Sequence, residues 1–139
     1  MTQEEKTLLL KDLCGRLLYG TMLNVTLIDK YDEVVNKDLE LTEYNFTYIT
    51  SYSHWKEYKP YLRYLSSMTD EEQRFISEKF NADKWASIET YSSSEDGIAE
   101  VFIEDIHGLI DWLDKKMFDY RGLIPKGLAL EAPKGMYNN

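Results

Sequence analysis

The chain has 139 residues and a mass of 16.4 kDa; 43% of its residues are hydrophobic, 14% are aromatic, and its formal charge is -9. A chain of this size buries roughly two-thirds of its unfolded surface, so it needs neither a disulfide nor a metal to hold a core. Eleven tyrosines and three tryptophans exclude an acidic disordered chain, and 25 acidic against 16 basic side chains disfavour direct binding to nucleic acid or an anionic membrane, leaving a protein, a basic one most easily, as the favoured partner.

No apolar run approaches the roughly 18 residues that span a bilayer, and the chain opens Met1-Thr-Gln-Glu-Glu instead of with a basic and then apolar leader. The expectation is a cytoplasmic protein without a membrane segment. Cys14 has no second cysteine to pair with, and its place among leucines predicts a buried, reduced thiol.

Thr2 and Glu5 stand at capping-box spacing before Leu8, Leu9, Leu10, Leu13, Cys14, Leu17 and Leu18, which predicts a helix closing near Gly20, with Lys6, Lys11 and Arg16 on its wet side. From Met22 to Ser51 the residues nearly alternate. Val25, Leu27, Val34, Val35, Leu39 and Leu41, then Phe46, Tyr48 and Ile49, predict an antiparallel meander of about three strands broken at Asp29–Asp32 and Thr42–Asn45.

The stretch Tyr52–Ser67 has no clear period, and Pro60 argues against a helix through it. Thr69 and Glu72 form a second capping-box pattern before Phe75, Ile76 and Phe80, predicting a helix that ends near Asn81. Ser92 to Gly97 is the best loop candidate. Ile103, Ile106, Leu109, Ile110, Trp112, Leu113 and Met117 then recur at helical spacing despite Gly108. Gly122, Pro125, Gly127, Pro133 and Gly135 make the last twenty residues an irregular segment. The predicted fold is α+β, a single domain over residues 1–139, with an N-terminal helix, the meander, two further helices and an irregular C-terminal segment.

Three stretches carry a resemblance. They are the opening from Thr2 to Cys14, the middle string Lys59-Pro-Tyr-Leu-Arg-Tyr-Leu-Ser-Ser-Met-Thr-Asp-Glu-Glu, and the ending from Asp111 to Tyr137, together less than half of the chain. They resemble a family of small uncharacterised proteins of Bacteroides-type gut bacteria and their phages or mobile elements. Pro125 departs from the family pattern, in which an acidic residue is usual at that place. The resemblance implies a source and a cytosolic setting, and it carries over no catalytic residue.

The chemistry-bearing residues do not assemble a known motif. His54 and His107 lie far apart, without the paired His or Cys spacing of a zinc site. His107 and Asp111 are one helical turn apart, a spacing that suits a surface hydrogen bond. Asp29, Asp32 and Glu33 lack the glycine and closing glutamate of a calcium loop and read as a solvated hairpin turn. No nucleophile elbow or phosphate-cradling glycine loop occurs. Neither a metal nor a cofactor is expected.

The most suggestive region is Tyr44 to Tyr64, where tyrosines and Trp55 recur among Lys56, Lys59 and Arg63. Tyr, Trp and Arg supply rigid area with polar tips, the composition of interface hot spots. Trp55, Tyr58, Tyr61, Arg63, Tyr64 and Arg121 are the candidate partner-binding residues; the competing reading is that they cover the sheet and, for Arg121, that it pairs with Asp119 or Asp111. The leading functional reading is a small non-enzymatic accessory protein, monomeric or homodimeric, acting by protein contact. One alternative is an acidic inhibitor, immunity-type protein or DNA mimic presenting Asp29, Asp32, Glu33, Asp38, Glu40 and Glu43. The other is an enzyme whose site follows no familiar motif.

Overall fold

The computed structural model describes residues 1–51, 55–80 and 106–137. The patterning predicts an α+β chain, and that is its class. It divides into two compact units, Met1–Leu62 with Leu123–Asn139, and Arg63–Gly122. The loop predicted at Ser92–Gly97, together with Tyr52, His54, Trp85, Ile88 and Ile103, lies outside the described residues.

The first unit opens with helix α1 (Gln3–Arg16). Its capping box forms as the sequence predicts: the Glu5 N–H donates to Thr2 Oγ1 (3.0 Å) and the Thr2 N–H to Glu5 Oε1 (2.9 Å). The buried face runs through Leu9, Asp12, Leu13 and Arg16, the three-four spacing of one side of a helix. This corrects two expectations. Cys14 sits about 140° round the helix from Leu9 and is exposed, whereas Arg16, read as solvated, is fully buried against Asp12. The leucine-rich stripe is broad enough to be centred on either side, and the buried centre falls on Leu9 and Leu13. The helix ends at Arg16, and Gly20 turns the chain with a φ of +75°.

Strands β1 (Met22–Ile28) and β2 (Val34–Glu40) form a hairpin paired from Met22 with Glu40 to Ile28 with Val34. Asp29 Oδ1 shapes the connection by accepting the N–H groups of Tyr31 (2.8 Å) and Glu33 (3.0 Å). Leu23, Val25 and Leu27 point to the buried side of β1.

The predicted third strand is a helix. Residues 43–51 form α2 (Glu43–Ser51) because Thr42 caps it, its hydroxyl accepting the Asn45 N–H at 3.1 Å. Thr47 and Thr50 fit into the helix by returning their hydroxyls to the carbonyls of Glu43 and Phe46 (both 3.1 Å). The third antiparallel strand is instead β3 (Trp55–Leu62), and it lies on the other side of β1 from β2. With β4 (Leu130–Glu131) parallel to β3, the order is β2-β1-β3-β4, so the strands do not follow one another as a meander. Pro60 is accommodated because its missing N–H falls on the side of β3 away from β1.

The second unit holds a 3-10 turn (Leu65–Ser67), α3 (Asp70–Phe80) and α4 (Ile106–Lys115). The second capping box also forms, with the Glu72 N–H on Thr69 Oγ1 (3.1 Å) and the Thr69 N–H on Glu72 Oε1 (3.0 Å). Leu65, Met68, Ile76, Phe80, Leu109, Leu113, Phe118 and Tyr120 make its core, with Trp112 stacked between Phe75 and Phe118. No described helix is long and apolar enough to cross a membrane.

Candidate functional site

The six candidate contact residues divide between the two units, and most are engaged within the fold. Tyr58, Pro60 and Leu62 alternate onto the buried side of β3, so the Tyr58 ring is part of the core; burial raises its phenol pKa. Tyr61 faces the opposite side of the sheet and donates to Asp38 Oδ1 at 2.8 Å. There it joins a polar lattice in which Asn24 bonds Asn36 and Asp38, and Asn36 bonds Thr26. Desolvation and the Asp38 carboxylate both raise the Tyr61 pKa.

Arg63 is held in place. Its guanidinium grips Glu72 with two hydrogen bonds (Nη2–Oε1 2.8 Å, Nη1–Oε2 3.0 Å) and lies 4.1 Å over the Phe118 ring. Burial acts to raise the Glu72 carboxyl, but Arg63 and the Thr69 N–H outweigh it and leave the pKa lowered. Arg121 covers Tyr120 and approaches Asp114 at 3.9 Å. Tyr64 remains exposed at the surface of the second unit.

Trp55 is the candidate that belongs to an outward-facing cluster. It stacks on Tyr48 (5.7 Å between centroids, 17° between planes), and Tyr48 meets Tyr44 edge-on at 4.9 Å with their hydroxyls 2.6 Å apart. Tyr44 is 69% exposed. Helix α2 places Tyr44 and Tyr48 one turn apart on the same side, and the start of β3 adds Trp55. Residues 46–49, expected as strand, are helical, and the four-residue spacing of Tyr44 and Tyr48 is the sequence signal of their contact. Beside it lies a recess lined by Lys6, Ile49, Thr50, Trp55, Lys56 and Tyr58.

The acidic residues proposed as a stripe spread along the hairpin. Asp29 is used in the hairpin turn and Asp38 in the sheet lattice. Asp32 and Glu33 lie at one end of β2, Glu40 and Glu43 at the other, about 20 Å apart along a seven-residue strand. His107 is exposed on α4. Among the described residues no group of His, Cys, Asp and Glu side chains is placed to hold a metal. Comparison with known protein families, curated proteins and solved structures finds no match to this chain.

Proposed function

We propose that this is a small non-enzymatic accessory protein of a phage or mobile element of Bacteroides-type bacteria, acting in the cytoplasm as a monomer or homodimer by contact with a partner protein. The sequence strings at both ends and in the middle of the chain support the source and setting. The Tyr44–Tyr48–Trp55 cluster supports the mode of action. Three aromatic rings in mutual contact, the outermost largely exposed, present rigid apolar area with polar tips at small entropic cost. The cluster is also the observation that favours contact over charge mimicry, because aromatic contacts survive salt while exposed charges are screened within about 8 Å at physiological ionic strength.

Affinity capture from lysate of the source bacterium, at low and high salt, tests this with the native chain and Tyr44→Ser/Trp55→Ser as baits. The expected result is a partner retained in high salt by the native chain and lost from the double variant. A partner that both baits hold equally, or one that high salt removes from both, would overturn the aromatic reading.

A further inference from the structure

The side of β3 turned away from β1 is only partly covered. The Leu62 carbonyl accepts the Ala132 N–H (2.8 Å) on the β4 side, whereas the Tyr61 carbonyl faces β1, where the Tyr137 hydroxyl joins it to the Met22 N–H (2.7 and 3.0 Å). Main-chain groups alternate in direction along a strand, so Tyr58 directs its N–H and C=O to the same side as Leu62. Strand β4 pairs only with Tyr61 and Leu62 and does not extend to Tyr58. That edge walls an open cleft of about 430 Å³, lined also by Glu5 and Leu9 of α1 and by Lys126, Gly127 and Leu128.

The lining of this cleft is mixed in charge, with Lys56, Lys59 and Lys126 beside Glu5 and Glu57. The Tyr58 side chain is 6% exposed, and its hydroxyl has no hydrogen-bond partner among the described residues. No fully enclosed side-chain polar atom among the described residues lacks a partner, so this hydroxyl is not sealed in, and Tyr58 borders both this cleft and the recess beside Trp55. Lys56 and Lys126 line the same space; neither makes an ion pair among the described residues, and beside the Thr2 hydrogen bonds the charge of Lys126 helps to lower the pKa of Glu5. The two acids present are already occupied: Glu57 pairs with Lys59 at 2.9 Å, and the Glu5 carboxylate caps α1. What remains is two ammonium groups, a hydroxyl and a main-chain N–H, set around Leu9 and Leu128.

We infer that this cleft is a binding site for a small organic carboxylate with a short apolar body. The carboxylate lies between Lys56 and Lys126 and accepts the Tyr58 hydroxyl, and the apolar part covers Leu9 and Leu128. Charge-assisted hydrogen bonds to a carboxylate are the strong ones, and a volume of about 430 Å³ lies within the range of small-molecule sites.

Amide chemical-shift titrations with hexanoate, and separately with inorganic phosphate, test the site on the full chain, on Lys56→Met/Lys126→Met and on Tyr58→Phe. Hexanoate is expected to move the Lys56, Tyr58 and Gly127 resonances saturably. Its affinity should fall about tenfold or more in the lysine variant, and several-fold in Tyr58→Phe, which keeps the ring. Phosphate, which has no apolar body, should bind about tenfold more weakly than hexanoate. Both lysines are exposed, so an otherwise unchanged spectrum checks that the variant is folded. No saturable shift, equal binding by the folded lysine variant, or phosphate binding as tight as hexanoate would each overturn the assignment. The aromatic cluster is left intact in these variants, so the result is separable from the partner-contact reading.

Discussion

Asp12 and Arg16 hold each other in a two-pronged ion pair, Nε to Oδ2 at 2.9 Å and Nη2 to Oδ1 at 3.0 Å, with neither side chain exposed. Removing one partner leaves a buried charge uncompensated, at a cost of about 3–5 kcal/mol, whereas replacing both by apolar residues of similar size is often neutral. Arg16→Met is therefore expected to lower stability steeply, and Asp12→Leu/Arg16→Met to recover much of the loss. A double-mutant cycle by urea unfolding measures this; additive losses would show that the pair acts through its other neighbours instead.

Tyr137 bridges β1 and β3 through its hydroxyl, and burial pushes its pKa up to about 12. A tyrosine whose pKa is higher in the folded than in the unfolded chain contributes stability that is present below about pH 10 and lost as pH rises toward 12. Tyr137→Phe strands the Met22 N–H and Tyr61 C=O and should cost about 1–3 kcal/mol at neutral pH. The same variant should flatten the alkaline limb of the stability curve, read by chemical denaturation at intervals from pH 8 to pH 11.

Glu72 joins the α3 capping box to Arg63, and its lowered pKa carries the opposite sign. Its contribution is present above the unfolded value near 4.5 and fades as pH falls through the lower folded value. Glu72→Gln should be destabilising at pH 7 and lose less stability than the native chain on acidification below pH 4.5. Equal acid slopes for the two proteins would contradict the assignment.

The exposed edge of the sheet carries its own safeguard. Lys37 pairs with Val25 and stands between Val35 and Leu39 on the side of β2 that faces the core side of β1. A charge at that place on an edge strand discourages pairing with another chain. Lys37→Val should raise the tendency to self-associate, seen by light scattering at increasing concentration, with little change in the thermal midpoint of the monomer.

Cys14 tests the orientation of α1 directly. Because it lies outside the buried face, the native protein should react with iodoacetamide without denaturant at a rate close to that of the unfolded chain. Strong protection would place the leucine stripe about the axis that the sequence first suggested.

The sequence by itself determined what depends on neighbours within one turn. Thr2 with Glu5 and Thr69 with Glu72 fix two helix starts, and the alternation of β1 fixes a strand, because capping and side-chain period are local. Residues 43–51 alternate in the manner of a strand, yet the Thr42 cap starts a helix there, and Pro60 obscures β3 because proline is acceptable only where no ladder bond is needed. The aromatic density of residues 44–64 is plain in the sequence, but which of its rings stack on one another is not. Which side of α1 is buried, whether Tyr58 or Tyr61 enters the core, and that Arg63 is clamped by Glu72 were decided by tertiary structure alone. Those outcomes depend on the register of β3 against β1 and on partners far along the chain, and no spacing within a segment encodes which of its two faces will meet them.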